Sequence, residues 1–365
     1  MARTFLKRIF QRKYLWIWLG IFSLLLRFLF SSFPQLTEII YSRGIYLVIR
    51  WIQNHTFGLF PFHSFLWLIP LLLLIIFLRW NRARKRGNKG NWKIRLVRTG
   101  RHFLSLIGGV AFFFFVLWGY NYNRVPIDEH LGLELPSPDT LMIASELRTA
   151  GLLAEGARQQ IPGIGQDTLS ADLGPEDLEA VVASEISATL RRLGYPAAER
   201  ARGRVIQPGG WMLSLGVAGI HNPFTGEGNI SGGLTDVQIP FTMAHEMAHG
   251  HGFGDEGTCN FIALLTCFQS SNPYVRYSGR MAWWDYLASR MRRDAPYTFG
   301  KVYQRLPRGF KTDWIAIRYN RRRYQGRGTR LGNKVNDQYL KFQGVKGGIR
   351  SYSRVILFNL AWEAK

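Results

Sequence analysis

The sequence of 365 residues is short of cysteine, short of acid and, beyond Tyr122, short of long apolar runs. Its two cysteines, Cys259 and Cys267, stand eight residues apart in a stretch that reads as one helix. At a rise of 1.5 Å per residue their α-carbons would be about 12 Å apart, beyond disulfide reach. Neither reads as a zinc ligand, so both are expected to be small buried apolar side chains. Asp and Glu number 24 against 47 Lys and Arg, a formal charge of +23. Such an excess points to nucleic acid or to an anionic membrane surface. The membrane reading is the stronger one, because the apolar runs missing from the later part of the chain are concentrated in the first third. No internal repeat and no long low-complexity tract occurs; residues 318–333 come closest to one.

Three early segments have the length that a hydrocarbon core of roughly 30 Å demands, residues 14–33, 57–78 and 103–120. Arg27 lies inside the first and is expected to snorkel to an interface or face another helix. Trp and Tyr near the segment ends suit the interfacial belt. The first segment reads as a span and not as a cleaved signal, because its apolar stretch is long and no small-residue cleavage site follows. Orientation follows from charge: five basic residues precede Tyr14, two lie in the expected loop 34–56, and ten lie in the expected loop 79–102 with no acid among them. The positive-inside rule then places the N-terminus and the 79–102 loop in the cytoplasm and everything after Tyr120 outside. The expectation is a mainly α membrane protein, with three transmembrane helices in residues 1–120 and a mostly helical α+β soluble domain in residues 121–365.

Within that second part, residues 137–161 and 174–195 have helical spacing, with Pro138 and Pro175 marking first turns. Residues 211–239 are rich in glycine and short apolar runs, which predicts short strands and turns. A helical stretch is expected over 275–293. From residue 301 to 365 there are sixteen basic residues against three acidic ones, a composition that suits a solvated face near anionic lipid.

The chemistry concentrates in TMAHEMAHGHGFGDEGTCNFIA, residues 242–263. On a helix, His245 and His249 point the same way and can place two imidazole nitrogens on one ion. Glu246 sits about 100° around, positioned to take a proton from water without binding the metal. The neighbouring side chains on this helix are small and apolar, leaving little else to satisfy two imidazoles. A catalytic zinc needs a third protein ligand, for which the sequence offers His251, Asp255 and Glu256. His251 would lie on the opposite face of a continuing helix. Asp255 occupies the place of the third histidine in the metzincin pattern HExxHxxGxxH, with Gly252 at its turn. Glu256 opens EGTCNFIALL, which resembles the second-helix glutamate element of gluzincin-type membrane peptidases, and Asn260 one turn on suits a ligand-orienting role. For the oxyanion of a tetrahedral intermediate, Tyr277, Arg276 and Tyr352 are the candidates. His221 and Glu227 read as structural.

The runs PFTGEGN (223–229), PFTMAHEMAHGHGF (240–253) and EGTCNFIA (256–263), with RYSG (276–279), VNDQYLK (335–341) and GGIRSY (347–352), resemble a bacterial membrane family known as domain of unknown function 3810. That family reads HExxHxxGFxxExEAN after three membrane spans. The resemblance implies a zincin-like domain and favours Glu256 as third ligand. It departs at Thr258, where the family carries a second glutamate. The expected function is a gluzincin-like zinc metallopeptidase in the cytoplasmic membrane, multi-pass, with its catalytic domain on the extracytoplasmic side. His245, His249 and Glu256 would hold zinc, Glu246 would be the general base, and the partners would be a peptide or protein substrate and the lipid bilayer, without nucleic acid. The alternative is a non-catalytic membrane protein with a structural or vestigial zinc site that binds a partner.

Overall fold

The computed structural model describes residues 12–60, 63, 70–71, 73–78, 81–82, 92–165, 167–170, 173–197, 200–345 and 347–365. The chain divides into two compact units, Met1–Arg124 with Pro223–Thr225, and Val125–Asn222 with Gly226–Lys365.

In the first unit, α1 (Leu15–Ser32) packs against α3 (Trp92–Leu117), and α2 (Tyr46–Thr56) lies between them in sequence. The α1–α3 approach is close because both helices offer glycine: a Cβ on Gly20 would stand 2.5 Å from the Gly108 α-carbon. Small residues at a crossing let backbones meet in this way. Among the described residues two helices, Arg12–Ser32 and Leu96–Leu117, are long and apolar enough to cross a membrane. The sequence predicts three. The expected middle span, 57–78, falls in part on residues outside those described, and its described start is the short 3-10 turn Phe57–Leu59. The 34–56 stretch, expected as a loop, is helical throughout, with a π-helical segment Thr37–Ile45 ahead of α2. Pro34 starts this run at a first-turn position, and Glu38, buried inside it, pairs with Arg43 and Arg124 at 2.7 Å each. Phe30, Tyr41, Tyr46, Phe115, Trp118 and Tyr120 form the aromatic core of this unit.

The second unit is mostly helical with one three-stranded sheet. Its principal helices are α4 (Thr140–Gln159), α5 (Pro175–Arg192), α6 (Ile239–Gly250), α7 (Glu256–Phe268), α8 (Pro273–Asp294), α9 (Arg308–Tyr324), α10 (Arg327–Phe342) and α11 (Val355–Glu363). The sheet has the order β1-β3-β2, with β1 (Arg202–Ile206) parallel to β3 (Glu227–Ser231) and β2 (Gly219–Asn222) antiparallel to it. α4 begins at Thr140, with Asp139 accepting the Met142 amide, two residues later than Pro138 suggests. β1 carries no alternation signal of its own and is visible only through its pairing with β3.

The site depends on how α6 lies on this sheet. Each strand presents a glycine to it. A Cβ on Gly203 would stand 2.8 Å from Met243, one on Gly228 2.8 Å from the Glu246 Cβ, and one on Gly219 2.5 Å from Glu246 Oε1. Helix and sheet therefore meet closer than any larger residue allows. The glycines that suggest turns in the sequence are here strand residues that make room for a helix. α7 then packs on α6 and is buried along nearly its whole length, Glu256 and Asn260 included. Such all-round burial suits a helix whose remaining side chains are mostly apolar. Trp283 and Trp284 of α8 fill the core toward α4 and α9. A buried network ties Leu169 to α4, α8 and α9: Asp313 accepts from Arg158 Nε at 2.8 Å, from Tyr277 Oη at 2.7 Å and from the Leu169 amide at 2.7 Å.

Candidate metal centre

α6 starts after a capping box at Thr235 and Gln238 and has Pro240 in its first turn. It ends at His251, and Gly252 at φ +86° turns the chain back through the left-handed region, which glycine enters freely. Asp255 is the N-cap of α7: its Oδ2 accepts from the Thr258 amide at 2.8 Å and from Thr258 Oγ1 at 2.9 Å. The cap fixes where α7 begins, so its first residue, Glu256, faces the histidines of α6.

The three side chains meet. His245 Nε2 lies 3.2 Å from His249 Nε2, and Glu256 Oε2 lies 3.1 Å from the first and 3.4 Å from the second. Three ligands of a tetrahedral ion with bonds of about 2.0–2.1 Å stand about 3.3 Å apart, so this triangle has the right edge lengths. His249 Nδ1 lies 2.7 Å from the Phe253 carbonyl, so it carries the proton there and turns the Nε2 lone pair toward the group. Three acceptors converging in a buried place repel unless a proton or a cation lies among them. Burial alone would raise the Glu256 carboxyl, but the two imidazoles hold it well below the usual carboxylate range. Burial works against a charge on His249, yet Cys259 and Glu256 outweigh it and hold the imidazole well above its ordinary value. His245, His249 and Glu256 are a buried group that can hold a metal ion.

Glu246 occupies the pocket left by Gly219 and Gly228. Burial raises its carboxyl, partly offset by His245 and His249 and reinforced by Glu256, and its Oε2 makes no hydrogen bond among the described residues. Tyr352 covers the other side. Its ring stacks on His245 with centroids 6.3 Å apart and planes 13° apart, and its hydroxyl accepts from Asn336 Nδ2 at 3.4 Å. Burial, then the charges of Glu256 and Glu246, lift this phenol well above its ordinary value. Asn260 donates to the Tyr352 carbonyl at 3.3 Å, so it steadies the tyrosine's segment.

Other residues singled out in the sequence go elsewhere. Asp255 caps α7 and faces Arg354 at 3.7 Å, outside the metal-ligating group. Thr258 completes that cap with its amide and its hydroxyl. His251 ends α6. Tyr277 is bound to Asp313, and Arg276 donates to the Ser270 carbonyl and to Gln160. Glu227 pairs with Arg204 at 2.9 Å, while His221 on β2 has its ring 6.4 Å from that of His249. Both cysteines are free and buried, but Cys259 is more than filler: its Sγ lies 3.3 Å from His249 Nδ1 and its thiol is pushed up to about 11 by burial. Tyr286, which sequence reasoning passed over, belongs to the surroundings, its phenol raised by burial, by Asp285 and by Glu256. Only the fold could have found it, since it lies on α8 and carries no motif.

A profile of the family described as protein of unknown function (DUF3810) matches residues 41–359, and the chain belongs to that family. No curated protein and no solved structure matches it.

Proposed function

We propose that this protein is a membrane-anchored zinc metallopeptidase, with His245, His249 and Glu256 as zinc ligands and Glu246 as general base. The observation that carries the reading is the 3.1–3.4 Å triangle of two imidazole nitrogens and one carboxylate oxygen, with a second buried carboxyl beside it and outside it. A zinc ion held there would supply Lewis acidity, lowering the pKa of water and polarising a carbonyl. Glu246, its carboxyl raised by burial, takes a proton from the attacking water and returns it to the departing amine nitrogen. Tyr352 Oη keeps its proton and donates to the oxygen on which negative charge develops. Among the described residues β2 is paired on one side only, which leaves an edge for an extended peptide. The two apolar helices support the membrane anchor, and the ten basic residues of 79–102 support a multi-pass chain with the second unit on the extracytoplasmic face.

One observation favours the rival in which the metal serves structure alone: all three ligand side chains are buried. Glu246→Gln separates the two. A peptidase loses chelator-sensitive hydrolysis of a quenched peptide library while keeping its metal. A structural site shows no such hydrolysis in the wild type.

A further inference from the structure

The outward faces of α9 and α10 join charge of one sign to large apolar side chains. On α10, Leu331, Val335 and Phe342 recur at helical spacing and are 64%, 59% and 59% exposed, with Arg327, Arg330 and Lys334 on the adjoining flank. On α9, Ile315 and Tyr319 are exposed among Arg318, Arg322 and Arg323. The two helices contain only two acids. Asp313 is buried with Arg158 and Tyr277, and Asp337 pairs with Lys341 at 2.6 Å. A polyanion such as nucleic acid would answer the charge but has no use for the exposed Leu, Val and Phe. The interface of an anionic bilayer answers both, taking apolar side chains to the acyl boundary and Lys and Arg among the headgroups. A bilayer is also within reach of the chain: the second membrane-length helix ends at Leu117, and the second unit begins at Val125.

We propose that α10 lies in the interface of an anionic bilayer, with Leu331, Val335 and Phe342 inserted, and that the basic face of α9 adds to the attraction. The inner side of α10 carries Asn336, which donates to the Tyr352 hydroxyl. A helix diameter of about 10 Å then separates lipid headgroups from Tyr352. Resting on the peptidase reading, this makes the substrate a peptide segment held at the membrane surface.

The test uses the full chain in nanodiscs, with a nitroxide on Val335→Cys and, as an exposed apolar control on α4, on Leu152→Cys. The native cysteines are buried and leave labelling to the introduced thiols. In phosphatidylglycerol discs the Val335 label favours oxygen over a water-soluble nickel relaxant, and the Leu152 label stays aqueous. In phosphatidylcholine discs the Val335 label returns to water. Arg322→Gln and Lys334→Gln each lower its docked-to-undocked ratio about five-fold in phosphatidylglycerol. A Val335 label as aqueous as that of Leu152 in phosphatidylglycerol overturns the proposal, as does a Leu152 label equally deep in lipid. Protection of Val335 by an oligonucleotide in place of lipid also overturns it. The readout needs neither metal nor activity, so it fails or holds separately from the peptidase reading.

Discussion

Between α6 and α7, three ionisable side chains are stripped of water and set within 3.4 Å of one another, whereas along α9 and α10 most of the charges remain at the water surface. The same residue types carry very different consequences in the two places. Buried charge must find a partner or change its proton content, and its neighbours are then placed to a few tenths of an ångström. Solvated charge repels or attracts over a Debye length and leaves the fold almost indifferent. On the proposed reading, reaction chemistry belongs to the first region and attachment to the second.

The largest effect should come from the buried side. Glu246→Gln is expected to lower peptide hydrolysis about 10²–10⁴-fold with metal content unchanged. Comparable turnover in that variant would remove the functional distinction between the two regions. Tyr352→Phe should cost about 10²-fold in kcat with little change in KM, because the lost donor acts on charge that develops during reaction. An unchanged kcat would leave Tyr352 as a packing residue.

How much of this was legible beforehand depended on sequence distance. The pairing of His245 with His249 is local, since four residues on a helix fix it. Between Asp255 and Glu256 the spacing alone decides nothing, because their roles follow from which one caps α7, and that is settled by the Thr258 amide and hydroxyl. The roles of Gly219 and Gly228 were hidden for a different reason: their partner, Glu246, lies on another element. Tyr352 stood level with Tyr277 and Arg276 in the sequence, and only the tertiary fold sends the latter two to Asp313 and Ser270. The 34–56 stretch was misread because its helices are held by Glu38 with Arg43 and Arg124, the last of which is far off in the chain.

Smaller effects sharpen the contrast. Gly219→Ala should destabilise the fold by about 1–3 kcal/mol and also displace Glu246, read as a lowered melting temperature together with lost activity. A stable, active alanine variant would show that α6 does not need the close approach. Asp255→Ala removes a cap and should cost about 1 kcal/mol while leaving the metal bound. Smallest of all, Arg322→Gln on the solvated face of α9 should change stability by less than about 0.5 kcal/mol, checked by the same melting experiment. A large loss there would mean that the basic face is part of the core's support.

The most direct test of the central claim is elemental mass spectrometry on the detergent-purified chain, comparing wild type with Glu256→Ala and Asp255→Ala. The account predicts about one zinc per chain in the wild type, lost with Glu256→Ala and kept with Asp255→Ala. A wild type that holds no zinc after reconstitution, or a Glu256→Ala variant that keeps it as tightly, would contradict it.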